Sequence, residues 1–131
     1  MSKINNDLKN MFGKHLAVIA TVSKGGIPNV GPKGSMHVLD DETLVYSEAT
    51  GEKTLKNLQQ NPKTAVVIVD RDKGDGYQIK GTAEILTSGD VFEISADRSE
   101  KSGRPRPKHV VRIKVEEVYS VKSGMTAKKL D

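Results

Sequence analysis

Apolar residues along this chain switch between helical spacing and strand spacing, and each switch outlines an element. Ile4, Leu8, Met11 and Phe12 fall on one face of a helix, with Ser2 placed to cap it and Gly13 to end it. Leu16 to Val22 is a continuous apolar run read as a strand. Lys24-Gly25-Gly26 then supplies hairpin turn chemistry, so the next strand is expected to pair antiparallel with it. That next stretch, Ile27 to Leu39, is interrupted by Pro28, Gly31, Pro32 and Gly34. Such interruptions mark an edge strand guarded by its prolines, or a place where a ligand or second backbone comes close. Asp40-Asp41-Glu42 turns the chain into a strand from Thr43 to Glu48.

Ala49-Thr50-Gly51 breaks that strand, and a helix starts near Glu52 with Leu55 and Leu58 on its inner side and Asn61-Pro62 at its end. The strand Lys63 to Asp70 contains Ala65-Val66-Val67-Ile68-Val69, apolar on both faces, so its outer face calls for a cover, most economically a partner subunit. Tyr77 to Thr87 alternates as a half-buried strand with Gly81 as a bulge. Asp90 and Glu93 make an Asp-x-x-Glu variant of the capping box ahead of a short helix to about Arg98. Pro105 and Pro107 keep the Lys101 to Lys108 loop irregular. Val110, Ile113, Val115, Val118 and Val121 share one last long strand. Its spacing changes parity between Val110 and Val111 and again after Val115, which predicts a bend. A tail opens at Ser123-Gly124-Met125 and ends in Lys128-Lys129-Leu130-Asp131. The pattern predicts a mainly β fold: a six-stranded antiparallel barrel with short flanking helices, in one domain spanning residues 1–131.

Composition narrows the chemistry. No run is long enough to cross a bilayer and the first residues lack the apolar stretch of a signal peptide, so a cytoplasmic protein is expected. The chain has no cysteine, which excludes disulfides and thiolate chemistry. His15, His37 and His109 are scattered without metal-ligand spacing, and no metal site is expected. The net charge of +4 is uneven: Arg98, Lys101, Arg104, Arg106, Lys108, Arg112 and Lys114 crowd one segment, which is a docking place for something anionic or a solvated basic loop. That segment has no aromatic residue for base stacking, so nucleic acid ranks low as a partner.

The strongest chemical signal is the strand-to-helix junction. A helix's first turn has free backbone N–H groups and the positive end of its dipole, both of which favour an anion. Lys53 adds a charge, Thr54 a hydroxyl and Asn57 an amide one turn along, a set suited to gripping phosphate. The competing account is a merely solvated first turn, and the Glu52 carboxylate would repel a phosphate unless it points away.

In order along the chain stand IATVSKGGIPNVGPKGSM (residues 19–36), LVYSEA followed by TGEKTLKNLQQNPKTAVVIVD (44–70), IKGTAEI (79–85) and VRIKVEEVYSVKSG (111–124). Together with the Lys53-Thr54-x-x-Asn57-Leu58-x-x-Asn61-Pro62 spacing, this series resembles the FMN-binding split-barrel family, the pyridoxamine 5′-phosphate oxidase-like proteins, in small single-domain form. The resemblance implies a homodimer packed barrel against barrel, with FMN in each of two interface clefts. Position by position it implies that Lys53 and Thr54, supported by Asn57, hold the FMN phosphate. Gly31, Pro32 and Lys33 would pass along the isoalloxazine, and Ser47, Glu48 and Ala49 would form the strand end beneath it. A Lys33 charge near the ring's N1/O2 edge would stabilise anionic reduced flavin. The function implied is an FMN-dependent oxidoreductase acting on a small-molecule substrate or electron donor or acceptor, with no catalytic acid or base named by the residues. His37, the histidine nearest the cleft, reads as a packed or surface residue. The chain is short for the full oxidase and lacks its C-terminal arginine and histidine substrate motif, so vitamin B6 oxidation is not the expected reaction. The alternatives are a non-enzymatic flavin carrier, a deazaflavin-binding relative, and a basic module docking through residues 98–114.

Overall fold

The computed structural model describes residues 3–49, 52–122, 124 and 126–130. In chain order the elements are α1 (Asn6–Phe12), β1 (Ala17–Val22), β2 (Pro28–Pro32), β3 (His37–Asp40), β4 (Thr43–Glu48), α2 (Lys53–Gln60), β5 (Lys63–Asp70), β6 (Asp75–Leu86), α3 (Asp90–Lys101), β7 (His109–Lys122) and β8 (Lys128–Leu130). The fold is mainly β, with every pairing antiparallel, in the order β2-β1-β5-β6-β7-β4-β3 and with β8 added to β7.

The described strands number eight rather than the six the apolar pattern predicts, and the physical reason lies mostly in one segment. Ile27 to Leu39 forms two strands at opposite ends of the sheet order. Pro32 has no N–H with which to prolong a ladder. Lys33 N–H makes one more bond, to the Ala17 carbonyl at 2.9 Å, and a turn follows in which Met36 N–H donates to the Lys33 carbonyl. The link of residues 33–36 thus carries the chain from one sheet edge to the other, too short a span to leave those edges far apart. The sheet curls into a barrel with a seam there. The eighth strand comes from the tail, where Lys128–Leu130 pairs with Ser120–Val118.

Four local expectations are revised. Ser2 lies outside the described residues, and Asn5 caps α1, its Oδ1 accepting from Leu8 N–H at 2.8 Å. The capping box at Asp90 and Glu93 does not form: Gly89, at φ 98°, is the cap residue, Asp90 lies inside the helix, and Glu93 turns to Arg106. At its other end α3 runs to Lys101, past the expected end near Arg98. In β7 the pairing with β6 is regular at Val110 and Val111. Both are buried because the strand is covered on two sides, Val111 by the barrel core and Val110 by Phe92 and Ala96 of α3 together with Val45 of β4. The bend after Val115 is present: Lys80 pairs with Glu117 and Gly81 with Val115, leaving Glu116 as an extra residue. A Cβ at Gly81 would collide with the Lys114 carbonyl oxygen, so this close crossing needs glycine.

Ile4, Leu8 and Met11 plug the barrel against Ile19, Leu44, Tyr46, Val66, Ile68, Ile79, Ile113 and Val115. α2 starts and ends where its sequence predicts and buries Leu55 and Leu58. Along β5, Thr64, Val66 and Ile68 point into the barrel, while Ala65 and Val67 are half-buried and Val69 is 45% exposed. No helix among the described residues is long and apolar enough to cross a membrane.

Candidate functional site

Alternation along β4 sends Leu44, Tyr46 and Glu48 inward. Lys33, following Pro32 across the seam, reaches them: its Nζ lies 3.0 Å from Glu48 Oε1 and 5.2 Å from the centre of the Tyr46 ring. The two charged side chains are 14% and 0% exposed, so their attraction is little screened by water. The Tyr46 phenol is held far above its ordinary pKa, by burial first and then by the nearby charge of Glu48. Lys33 therefore reaches the interior already matched to a carboxylate.

At the head of α2, Glu52 is the cap residue and its side chain makes no capping bond. Lys53 is exposed at the first helical position. Thr54 is buried, its Oγ1 accepting from Asn29 Nδ2 at 3.1 Å, and Asn57 is buried with Nδ2 donating to Thr21 Oγ1 at 3.1 Å. These two bonds pin α2 to β2 and β1. A Cβ on Gly31 would lie 4.0 Å from Thr54 Oγ1, so β2 passes directly by the helix start.

The seam thus gathers Gly31, Lys33, Glu48, Thr54 and Asn57 on its inner side, while Pro32, Ala49 and Lys53 are exposed near its mouth. Thr50 and Gly51 lie outside the described residues. Ser47 points the other way: its Oγ accepts from Ser99 Oγ at 2.8 Å and faces the Ser95 carbonyl at 3.5 Å, beneath α3. The phosphate end suits a flavin nucleotide. Lys53 is exposed, no side chain among the described residues bonds the first-turn N–H groups of α2, and the Thr54 hydroxyl keeps its hydrogen to donate while accepting from Asn29.

A second concavity, of about 290 Å³, opens between α3 and the seam link, lined by Gly34, Ser35 and His37 on one side and Arg98, Ser99 and Arg104 on the other. Its floor is a hydroxyl chain in which Ser35 Oγ accepts from Ser47 N–H at 2.9 Å and Ser99 donates to Ser47. Arg104 Nη2 lies 3.4 Å from where a Gly34 Cβ would sit, so the guanidinium closes over the link. Arg106 folds back along α3 to bind Glu93, Asp97 and Glu100 together. That leaves Arg98 and Arg104 without carboxylate partners among the described residues, facing a cavity lined by no acidic side chain. His37 shares the lining, its Nδ1 3.0 Å from the Ser35 carbonyl. Burial lowers its pKa from the ordinary value, the Ser35 bond opposes this, and Arg98 adds to the lowering. The crowding of basic residues was visible in the sequence, but which of them are free depends on Arg106 reaching back to Glu93. Nothing in the sequence spacing pointed to Ser35, Ser95 or Ser99.

An antiparallel barrel with α2 set at its seam defines the class. The family model described as pyridoxamine 5′-phosphate oxidase matches residues 8–122, and the chain belongs to that family. An uncharacterised protein of Methanocaldococcus jannaschii is 37% identical, covering 98% of this chain and 87% of its own. The crystal structure of HupZ from Group A Streptococcus is similar at TM-score 0.88 and 37% identity, over 94% of this chain and 98% of that one. An FMN-binding protein from Syntrophomonas wolfei has TM-score 0.76 at 18% identity, over 88% and 84% of the two chains, a likeness of fold.

Proposed function

We propose that this chain is a homodimeric FMN-dependent oxidoreductase acting on a small anionic molecule. The observation that carries the substrate side is the cavity with two guanidinium groups, Arg98 and Arg104, that no carboxylate among the described residues neutralises. The cavity begins at Gly34, the residue after Lys33, so a substrate anion there lies next to the segment proposed to run along the flavin ring. Family membership and the start of α2, where the Glu52 side chain makes no capping bond, support the cofactor side.

In this reading Lys53 and Thr54 hold the FMN phosphate, and Asn29, Asn57 and Thr21 hold the helix in place beneath them. Gly31, Pro32 and Lys33 flank the ring on one side, and the backbone of Ser47, Glu48 and Ala49 on the other. Bound FMN supplies the electron transfer, for which a cysteine-free chain has no thiol of its own. Lys33 presents its charge as half of an ion pair with Glu48, which mutes its pull on reduced flavin. Arg98 and Arg104 hold the substrate's phosphate or carboxylate group, and the serine hydroxyls supply further donors. The outer face of β1, β2 and β5, with Val18, Ala20, Ala65 and Val67 half-buried and Val30 67% exposed, is the surface for the second copy.

An absorption spectrum of the purified protein, repeated after FMN is added and excess washed away, tests the cofactor. Retained flavin bands with one FMN per chain are expected. A protein that stays colourless would overturn the flavin assignment.

A further inference from the structure

Of the groups lining the cavity beside α3, His37 alone changes charge near neutral pH, and its contacts fix how it does so. A carbonyl oxygen has no hydrogen to give, so the 3.0 Å contact with Ser35 O makes Nδ1 the donor and leaves the lone pair on Nε2. Without a ligand, burial and Arg98 lower the ring's pKa and so favour its neutral form.

An anion seated between Arg98 and Arg104 changes this balance. It offsets the guanidinium charge that disfavours imidazolium, and its own charge favours imidazolium. Among the described residues, no carboxylate lines the cavity to do so in its place. α3 contributes Ser95, Arg98, Ser99 and Ser102 to the lining, the loop after it Arg104, β4 Ser47 and the end of α1 Phe12 and Gly13. Glu93, Asp97 and Glu100 are held by Arg106.

We propose that this cavity takes up its anion together with a proton, with His37 Nε2 as the acceptor, so that the site fills more readily as the pH falls. The proposal rests on the reading of the cavity as a substrate-anion site. It adds that the favoured ligand is an oxyanion, phosphate or carboxylate, held by two fixed positive charges and a third that appears on demand. Free His37 is neutral above its lowered pKa, and the bound anion raises that pKa. Between the two values binding consumes a proton, so affinity rises as pH falls, by up to roughly tenfold per pH unit for one proton. It levels off below the free-protein value.

Sulfate is a suitable probe because it keeps both charges throughout the range in which histidine titrates. Isothermal titration calorimetry with wild-type protein, in two buffers of different ionisation heat, is expected to show tighter binding at lower pH with uptake of up to one proton. The His37 ring signals followed by NMR should titrate at higher pH when sulfate is present. His37→Asn keeps an amide donor near the Nδ1 position and lacks Nε2, so it is expected to flatten the pH profile. If that variant does not fold, the wild-type NMR titration decides alone. Arg98→Ala is expected to lose binding at every pH. Sulfate binding of constant affinity without proton uptake, or a His37 titration unmoved by sulfate, would overturn the coupling and leave the anion cavity standing. No binding by wild type, or binding untouched by Arg98→Ala, would overturn both.

Discussion

Lys33 and Glu48 illustrate how a buried charge depends on its neighbour. With Nζ 3.0 Å from Oε1 and both side chains out of water, Lys33→Ala leaves the carboxylate in the barrel without the ammonium, at an expected cost of about 3–5 kcal/mol in denaturant unfolding. Lys33→Met combined with Glu48→Gln removes both charges and should recover most of that loss; a double variant as unstable as the single one would show that the pair is not the cause. Lys53 is the contrasting case. It is exposed and makes no ion pair among the described residues, so Lys53→Ala should leave unfolding unchanged while weakening FMN binding by roughly 1.5–3 kcal/mol in a fluorescence titration. The positions of Lys53, Thr54 and Asn57 on one helix were legible from their spacing, because helical geometry is local. The partner of Lys33 was not: Glu48 lies 15 residues away, and the two meet only because the seam brings β2 and β4 together.

At the scale of elements, α3 with the loop behind it behaves as a charge-sorting device. Arg106 stacks over the Phe92 ring, 5.8 Å from its centre, and draws Glu93, Asp97 and Glu100 to one side, leaving the other face of the helix positive. Arg106→Ala should release these carboxylates and weaken sulfate binding in the α3 cavity, most strongly at low ionic strength, with little change in Tm because the ion pairs are exposed. Unchanged sulfate affinity would show that the carboxylates do not reach the site. Asp90 and Glu93 read as a capping box because their spacing fits one. Tertiary pairing with Arg106 outcompeted the cap, and Gly89 took the cap position with its left-handed backbone. For α2, sequence and structure agree on both ends.

For the whole molecule, the antiparallel barrel was legible because apolar alternation and turn chemistry repeat along most of the chain. The strand number was less so. Ile27 to Leu39 carries two strands that the apolar pattern alone cannot separate, since the break is a change of sheet edge rather than of hydrophobicity. The second apolar face of β5, also visible in the sequence, puts Val67 opposite Val18 and Gln78 on the outside of the barrel. Val67→Asp should therefore give a folded monomer in sedimentation velocity, with the strand content of the parent in circular dichroism. A stable dimer from this variant would place the interface elsewhere.

The two ends of the sheet are each shielded, β2 by a proline at either limit and β3 by being only four residues long. Neither offers a template on which a neighbour could add a strand. In the proposed homodimer, then, the second copy is expected to meet this chain face to face through side chains rather than by adding a strand to β2 or β3. If the contact is two-fold, with the same patch of β1, β2 and β5 on both partners, growth ends when the pair is complete and does not run on into a filament.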